Sequence, residues 1–189
     1  MKKYDINDDI DYTMISESEI ENIVKKVAAE IDRDYPDPEK RLLLLGILKG
    51  SVVFMGDLMK HIKRPVEIDF MKVSSYGAAT ASSKTINIML DLYRHDIEDL
   101  DILIIEDIID SGRTMLYLTK YLENKGASSV KCAALLDKPS RREVDYNADY
   151  IGCVVEDKFV VGYGLDYAEK YRALPYIGVL KPEIYTKHD

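Results

Sequence analysis

Cysteine is scarce in this sequence. The 189 residues contain two, Cys132 and Cys153, and each lies within an apolar stretch. Small domains held together by disulfides, and structural zinc sites, use more thiols at characteristic spacings. We therefore expect two buried thiols in a reducing compartment, and neither a disulfide nor a metal-binding pair.

Long apolar runs are also missing. The longest, residues 42–48, is far shorter than the roughly 20 residues that a helix needs to cross a bilayer. After Met1, Lys2 and Lys3 the chain continues with several aspartates instead of an apolar segment, so no secretory signal is expected. These features predict a cytoplasmic protein without a membrane partner.

An excess of basic residues is the third feature that the chain lacks. It has 26 Lys and Arg against 34 Asp and Glu, a net charge of -8. Such a surface repels nucleic-acid phosphates, and no long basic cluster offsets the repulsion, which excludes nucleic acid as the main partner. Histidine is rare as well: His61, His95 and His188 match no catalytic motif, and we expect all three to be exposed bystanders.

What is present is the composition of an ordinary globular protein. Apolar residues make up 47% and charged residues 32% of the chain, and at this length one hydrophobic core can form without disulfides or metals. The sequence contains no internal repeat, low-complexity tract or separating linker. We expect a single domain over residues 1–189.

Residue spacing predicts alternating helices and strands. Residues 16–19, Ser-Glu-Ser-Glu, form a capping box, and apolar residues at helical spacing follow to about Asp34. Further helices are predicted over residues 51–61 and 114–124. Small polar residues predict a mobile loop over residues 74–84. The predicted strands are 42–48, 66–73, 86–92, 102–105, 130–136 and 150–155. Strands that alternate with helices indicate an α/β fold with a parallel sheet.

The most informative segment is 102–114, in which an apolar strand leads to carboxylates and then to a turn. Glu106 and Asp107 follow the strand directly, and Asp110 comes three residues later. In open parallel sheets, ligands bind beyond the carboxyl ends of the strands. Residues 111–114 then lead into a helix N-terminus, where free backbone N–H groups favour an anion. This arrangement suits a ligand with both hydroxyls and a phosphate, such as a ribose 5-phosphate.

Two other interpretations of this segment are less favoured. Gly112-Arg113-Thr114 is similar to the end of a P-loop, but Asp107 stands where that motif needs its first glycine. A strand, an acidic solvated turn and a capped helix would explain any one of these residues. The whole ordered string favours the ligand site.

The string resembles the phosphoribosyl pyrophosphate signature of the type I phosphoribosyltransferases, and its Glu-Asp-Ile-Ile-Asp-Ser-Gly version looks like the hypoxanthine–guanine branch. Similar motifs are spread over nearly the whole chain: Leu48-Lys49-Gly50, Ser75-Tyr76, Lys138 after Leu-Leu-Asp, and residues 157–167. The resemblance implies the α/β type I phosphoribosyltransferase fold. In that fold a central, mostly parallel sheet is flanked by helices, and the terminal segments form a small hood.

For the sugar phosphate, the resemblance implies that Glu106 and Asp107 bind the ribose hydroxyls, the second helped by Mg²⁺. It implies that Asp110 also faces N7 of the purine and acts as a general acid/base. Arg113 stands where many relatives carry lysine, which keeps the charge. The residues implied in the loop that binds ribose and 5-phosphate are Ile108, Ile109, Asp110, Ser111, Gly112, Arg113 and Thr114.

For the base, the resemblance implies that Lys138 donates to O6 and so selects 6-oxopurines. Phe159 would stack on the base and Val160 would present backbone groups to its other edge. Taken singly, Lys138 is more typical of a solvated turn, and Phe159 is equally typical of core packing.

For the pyrophosphate, the resemblance implies binding by Lys49, Gly50 and Arg172, with a non-proline cis peptide often found before the lysine. Ser75 and Tyr76 would lie on a lid that excludes water. Asp166 would coordinate a second Mg²⁺, because hard oxygen ligands beside a polyphosphate suit this ion. The implied metal ligands are Glu106, Asp107 and Asp166.

The resemblance thus implies an enzyme of purine salvage that joins phosphoribosyl pyrophosphate to hypoxanthine or guanine, as a homodimer or homotetramer. The same reaction on xanthine or on a pyrimidine stays open, because xanthine differs only at the 2-position, where the expected contacts are backbone groups. A non-catalytic regulator that binds phosphoribosyl pyrophosphate or RNA is disfavoured by the acidic charge and by the intact Asp110, Glu106 and Lys49.

Overall fold

The computed structural model describes residues 5–77 and 84–186. Within these residues the strands are β1 (Ile10–Ile15), β2 (Arg41–Leu48), β3 (Glu67–Gly77), β4 (Lys84–Leu90), β5 (Leu100–Ile109), β6 (Ser129–Asp137), β7 (Tyr150–Val154), β8 (Val160–Val161) and β9 (Ile177–Leu180). The helices are α1 (Glu17–Asp34), α2 (Val52–His61), α3 (Arg113–Asn124) and the short α4 (Pro182–Tyr185). The expected alternation of strands and helices is confirmed.

Six of these strands form the central sheet in the order β4-β3-β2-β5-β6-β7. The pairs β2–β3, β2–β5, β5–β6 and β6–β7 are parallel, and β4 runs antiparallel to β3 at one edge. The fold class is therefore the α/β class expected from the sequence, with a mostly parallel sheet. Its parallel strands bring the ends of β2, β5 and β6 to one edge.

Apolar side chains alternate between the two faces of the central sheet, which is why β2 and β5 are continuously hydrophobic. Leu44 and Ile105 pack in one cluster with residues of α1 and α2. Leu45 and Ile104 pack in a second cluster with residues of α3. Helices thus cover both faces.

The first helix begins as predicted. The Ser16 hydroxyl accepts from the backbone N–H of Glu19 and the Glu19 carboxylate accepts from the backbone N–H of Ser16, which completes the capping box. Ile20, Val24 and Ile31 form its buried face. The helix ends at Asp34, followed by Tyr35 outside helical geometry.

Two sequence expectations about local structure were wrong. The predicted loop over residues 74–84 contains the ends of β3 and β4, which pair antiparallel from Ser74 opposite Asn87 to Gly77 opposite Lys84. Residues 78–83 lie outside the described part, so a mobile loop stays a prediction for them. The strand predicted over residues 102–105 continues to Ile109, because β6 offers a partner for its backbone as far as Asp137.

The terminal segments build a second, three-stranded sheet in the order β1-β9-β8. Its residues Val160, Ile177 and Val179 belong to the same hydrophobic cluster as α1 and α2. The sequence pattern did not reveal these short strands, although the family resemblance implied a small hood in this place.

The two cysteines were expected to be buried, unpaired thiols. Both thiols are free; Cys132 is buried as predicted, whereas Cys153 is only half-buried, which corrects the expectation for that residue.

Among the helices that the structure describes, none combines the length and the apolar character needed to cross a membrane.

Candidate active site

The two adjacent carboxylates of β5 face different surroundings, because successive side chains of a strand point to opposite faces. Glu106 lines a cavity of ≈ 110 Å³ together with residues of the loop 110–114. Asp107 lies against Gly50: a Cβ added to Gly50 would overlap the Asp107 carboxylate. Glu106 therefore lies beside the loop after β5, and Asp107 lies beside the loop after β2.

Both carboxylates are held in an unfavourable environment for negative charge. Burial raises the pKa of Glu106 well above its usual value, and the charge of Asp107 adds to this effect. Burial also raises the pKa of Asp107 to about 6, opposed mainly by the backbone N–H of Ile108, which donates to it at 2.8 Å. Glu106 Oε2 is enclosed and finds no hydrogen-bond partner among the described residues. An oxygen in this position is ready to accept from a ligand hydroxyl or to bind a cation.

The loop 110–114 leads directly into α3. Gly112 has a φ of 79°, a left-handed conformation that glycine adopts without steric penalty. The N-cap residue of α3, Gly112, offers no side chain, and the backbone N–H of Arg113 makes only a long contact of 3.4 Å with the Ser111 hydroxyl. The N–H groups of the first turn have no carbonyl acceptor within the helix. The small cavity at this end is lined by Glu106, Ile108, Ile109, Asp110, Ser111, Gly112, Thr114 and Met115. The geometry matches an anion site at a helix N-terminus.

A second cavity, of ≈ 340 Å³, lies beside this loop and contains Lys138. Lys138 is only 5% exposed, so it is not the solvated turn lysine that its position before a proline would suggest. Its ammonium donates to the carbonyl of Lys158 at 2.6 Å and lies 4.0 Å from one carboxylate oxygen each of Asp110 and Asp157. A buried ammonium with a donor to spare can recognise a carbonyl oxygen of a ligand.

An aromatic side chain forms another wall of the second cavity. Phe159 is 38% exposed, stacks on Tyr185 at 4.8 Å and 19°, and meets Tyr167 edge-on at 5.4 Å. Val160 follows in β8 and also lines the cavity. Tyr185 carries no motif and lies at the far end of the chain, so sequence reasoning missed it. Arg141 is another wall residue without a sequence signal, whereas Leu165 lies within the motif 157–167 although no role was predicted for it.

The loop after β2 meets the segment 163–172 next to Asp107. The Leu48–Lys49 peptide is cis, and the Lys49 ammonium pairs with Glu169 at 2.9 Å. A Cβ on Gly164 would overlap the carbonyl of Gly50, so the two backbones are in direct contact. Sequence reasoning missed Glu169, whose role depends on a contact between residues 120 positions apart.

Asp166 and Arg172 form an ion pair of 2.8 Å at this place, and Arg172 also donates to the carbonyl of Gly164 at 2.6 Å. Their charges reach Asp107: Arg172 lowers and Asp166 raises the pKa of that carboxyl. The segment that carries them has four residues other than glycine with positive φ, namely Tyr163, Ala168, Glu169 and Tyr171. Such strained backbone persists where the surrounding structure holds it, and it is common at functional sites.

The remaining expected residues are Ser75 and Tyr76. Their backbones pair with Ile86 and Thr85 at the end of the β3–β4 hairpin. The side chains of both residues, and residues 78–83 beyond them, lie outside the described part. The expected lid therefore stays a prediction.

A third cavity, of ≈ 410 Å³, lies between α1, α2 and residues 172–175. Among the expected site residues whose side chains the structure describes, Arg172 alone lines this cavity. His61 also lines this cavity and is half-buried, which corrects its expected exposure, whereas His95 is exposed as expected. His188 lies outside the described residues. Although this cavity has a larger volume than the two described above, we do not assign the site to it. Glu106, Asp110 and the N-terminus of α3 line the other two cavities.

Comparison with known proteins gives consistent matches. A family model described as phosphoribosyl transferase domain matches residues 11–168. The hypoxanthine-guanine phosphoribosyltransferase of Bacillus subtilis is 54% identical over 177 residues, covering 94% of this chain and 97% of that protein. The bifunctional protein TilS/HprT of Listeria monocytogenes is 49% identical over 182 residues, which are 96% of this chain and 28% of that protein. A crystal structure of a hypoxanthine phosphoribosyltransferase from Staphylococcus aureus has a TM-score of 0.90 and 45% identity, covering 98% and 99% of the two chains.

Proposed function

The chain belongs to the phosphoribosyltransferase family, and we propose that it transfers the phosphoribosyl group of 5-phosphoribosyl 1-pyrophosphate to hypoxanthine or guanine. The products are IMP or GMP and pyrophosphate, a reaction of purine salvage. The observation that carries the choice of base is Lys138: a buried ammonium shares one cavity with Asp110 and Phe159. A 6-oxo group satisfies this donor, whereas a 6-amino group opposes it.

The sugar phosphate occupies the edge formed by β5 and the loop 110–114. The backbone N–H groups at the start of α3 and the hydroxyls of Ser111 and Thr114 bind the 5-phosphate. Glu106 and Asp107 accept from the ribose hydroxyls, and these hydrogen bonds offset the burial that raises the pKa of both carboxyls. Their negative charge then stabilises the oxocarbenium-like state of glycosyl transfer. The open oxygen of Glu106 supports this assignment.

The base lies in the cavity of Lys138. Phe159 stacks on one face of the ring, and Val160 presents backbone groups to its edge. Asp110 takes the N7 proton of the incoming base as the new glycosidic bond forms, acting as general base. Its carboxylate is 49% exposed and 4.0 Å from the Lys138 ammonium, so it can reach a ligand while its charge is balanced.

The pyrophosphate lies between the loop after β2 and the segment 163–172. Lys49 and Arg172 supply positive charge, and the backbone of Gly50 donates to the diphosphate. Both cations are held by carboxylates that a polyanion can replace, since Glu169 pairs with Lys49 at 2.9 Å and with Arg172 at 3.7 Å. Ser75 and Tyr76 would close over the leaving group.

Mg²⁺ fits this donor set. Asp107, Asp166 and Glu106 offer hard carboxylate oxygens, and one oxygen of Glu106 lacks a partner among the described residues. Over the ranges 5–77 and 84–186 no group of three or more His, Cys, Asp or Glu side chains forms a metal cage, so diphosphate oxygens would complete the coordination. When bound, the ion neutralises and orients the leaving pyrophosphate.

We also propose that residues 1–189 form one domain, that the protein works in the cytoplasm, and that it assembles as a homodimer or homotetramer. Strands of the terminal sheet share a hydrophobic cluster with the helices of the central sheet, which supports the first of these assignments.

A direct assay tests the function. Purified protein is mixed with Mg²⁺ and phosphoribosyl pyrophosphate, and nucleotide formation is followed with hypoxanthine, guanine, xanthine and adenine in turn. We expect IMP and GMP, and no AMP. Activity should disappear with excess chelator and return with added Mg²⁺. A chain that forms no nucleotide from either 6-oxopurine would contradict the proposal, and full turnover in chelator would contradict the metal assignment alone.

A further inference from the structure

Arg142 and Glu143 bind the backbone of the loop 110–114, although neither lines the cavity of Lys138 or the cavity of Glu106. The Arg142 guanidinium donates to the carbonyl of Asp110 at 2.6 Å, and the backbone N–H of Glu143 donates to the carbonyl of Ser111 at 3.0 Å. The Glu143 carboxylate also pairs with Arg113 at 2.5 Å. The loop is therefore anchored by a segment that follows the strand of the base site, β6.

Arg142 makes a second contact, through the other terminal nitrogen of its guanidinium. That nitrogen pairs with the carboxylate of Asp137, and both side chains are largely buried, 14% and 6% exposed. Asp137 ends β6 and immediately precedes Lys138. One guanidinium thus ties the backbone of Asp110 to the strand end that carries the Lys138 ammonium.

The aliphatic part of Arg142 packs against the turn of the same loop. A Cβ added to Gly112 would lie 2.9 Å from Cδ of Arg142, closer than side-chain carbons normally approach. The loop backbone can lie this close to the arginine stem because residue 112 is a glycine. Arg142 therefore restrains both Asp110 and the left-handed turn that follows.

We propose that Arg142 is a positioning residue for phosphoribosyl transfer. Through its two contacts it sets the distance between the Asp110 carboxylate and the Lys138 ammonium, 4.0 Å in this structure, and so places the proton acceptor over the base. This inference rests on the proposed function. It assigns Arg142 no contact with substrate, because the guanidinium is turned toward Asp137 and the carbonyl of Asp110.

The alternative is that Arg142 and Asp137 are only a buried ion pair that stabilises the fold. The substitution Arg142→Lys separates the two roles. Lysine keeps the positive charge and much of the aliphatic stem, but a single ammonium cannot reproduce the planar fork that serves two acceptors at once. Loss of a supporting contact of this kind typically reduces activity by about 10- to 100-fold.

The experiment measures steady-state kinetics and thermal melts for wild type, Arg142→Lys and the control Arg33→Lys. Arg33 lies on α1 in an exposed ion pair, 71% exposed, away from the site. We expect kcat of Arg142→Lys to fall by about 10- to 100-fold while KM for hypoxanthine changes by less than about threefold. Arg33→Lys should match wild type. A kcat of Arg142→Lys equal to wild type, with a lowered melting temperature, would overturn the proposal.

Asp137→Asn supplies a second test, which remains usable if Arg142→Lys does not fold. Asparagine keeps the volume and an acceptor oxygen for Arg142 but removes the charge that strengthens the contact. If Asp137 acts through Arg142, the double variant Arg142→Lys/Asp137→Asn should lose no more kcat than Arg142→Lys alone. If the two losses in kcat multiply, the residues have independent roles and the proposal is overturned. If Arg142→Lys does not fold, kcat of Asp137→Asn decides: a loss of roughly threefold or more supports positioning, and wild-type kcat overturns it.

Failure of this inference is distinguishable from failure of the proposed function. Wild type that forms no IMP contradicts the function itself. Active wild type with unchanged kcat in the Arg142 and Asp137 variants contradicts the positioning role only.

Discussion

A charged side chain that is nearly inaccessible to solvent is the most informative residue of this protein. Lys138 is 5% exposed, and burial of an ammonium is unfavourable unless hydrogen bonds and opposite charges surround it. The carbonyl of Lys158 and the carboxylates of Asp110 and Asp157 satisfy it in part. An ammonium has three donors, so a ligand oxygen can occupy the same environment.

Replacing this residue tests the choice of base. For Lys138→Gln we expect KM for hypoxanthine to rise by roughly 10- to 100-fold, the effect of losing a hydrogen bond from a charged donor. KM for phosphoribosyl pyrophosphate should change by less than about threefold, because the sugar phosphate contacts are separate. Steady-state kinetics with each substrate varied in turn measure both values. Unchanged base kinetics would mean that Lys138 serves the fold alone.

The proposed role of Asp110 as proton acceptor is tested by Asp110→Asn. The amide has almost the same shape but cannot accept a proton, so turnover should fall by ~10²- to 10⁴-fold, the usual contribution of a general acid/base. The Asp110 side chain is 49% exposed, so the melting temperature should change little. Asp99→Asn, at an exposed position in the turn before β5, is the matched control with normal turnover. A normal rate combined with a lower melting temperature would remove Asp110 from the mechanism.

At the scale of the elements, the loop after β2 packs so closely against strand β5 that no side chain fits at position 50. Gly50 contacts the Asp107 carboxylate on one side and Gly164 on the other, so three separate segments meet at two glycines. This contact brings the residues proposed to bind pyrophosphate next to those proposed to bind ribose. It also explains why position 50 requires a glycine, since a side chain there would overlap the Asp107 carboxylate.

Two glycine substitutions measure this packing. Gly50→Ala places a methyl group into the Asp107 carboxylate, and we expect a loss of about 1–3 kcal/mol in unfolding free energy together with a higher KM for phosphoribosyl pyrophosphate. Gly56 lies in the middle of α2, and none of the described residues outside its own helix turn comes within 4 Å of an added Cβ. Gly56→Ala should therefore stabilise the protein by roughly 0.5–1 kcal/mol. Denaturant unfolding compares the two, and a neutral Gly50→Ala would contradict the packing argument.

The opposite end of the sheet carries an ion-pair network that joins β2 and β3 to the turn before β5. Arg41 pairs with Glu67 at 2.7 Å and with Asp96 at 2.7 Å, and Arg94 pairs with the same two carboxylates at 2.6 and 3.0 Å. Hydrogen bonds from Arg41, and next from Arg94, lower the pKa of Glu67. Those from Arg94 and Arg41 lower the pKa of Asp96.

This network predicts a pH dependence of stability. A carboxyl whose pKa is lowered by folding contributes stability above its unfolded pKa and loses it as the pH falls through the folded pKa. The advantage of wild type over Glu67→Gln should therefore be full at neutral pH, and it should shrink once the pH falls below the ordinary glutamate value of 4.5. Thermal melts of both proteins between pH 7 and about pH 3 measure the difference. An advantage that stays constant over this range would contradict the role of the network.

At the scale of the whole molecule, the two sheets share one core. Ile177 and Val179 of the terminal sheet pack in the cluster that contains Ile20 of α1 and Phe54 of α2. The second cluster, on the α3 face, meets the first through the strands of the central sheet. The candidate site lies where these parts join, because its residues come from β2, β5, β6 and the segment 157–172.

A shared core predicts one cooperative unfolding transition. Ile177 is fully buried, so Ile177→Ala should lower the unfolding free energy by about 2–5 kcal/mol and shift the whole transition. Differential scanning calorimetry of wild type and variant measures this. Two transitions, of which the substitution moves only one, would contradict both the shared core and the single domain over residues 1–189.

The sequence by itself determined the features that depend on neighbouring residues. The capping box fixes the start of α1, and continuous apolar runs locate the buried strands β2, β5 and β6. The string from Glu106 to Thr114 identified both the family and the loop before α3, since its order of strand, carboxylates, glycine and helix is local. Resemblance then added residues such as Phe159, whose type alone does not separate core packing from binding.

Only the tertiary structure decided the features that depend on contacts between distant segments. The burial of Lys138, the pairing of Lys49 with Glu169, and the hold of Arg142 on Asp110 each require elements that the chain places far apart. The placement of Glu106 and Asp107 on opposite sides follows from the continuation of β5, which depends on β6 as its partner. Local patterns carry no information on such partners, because burial and hydrogen bonding are set by what the rest of the fold brings alongside.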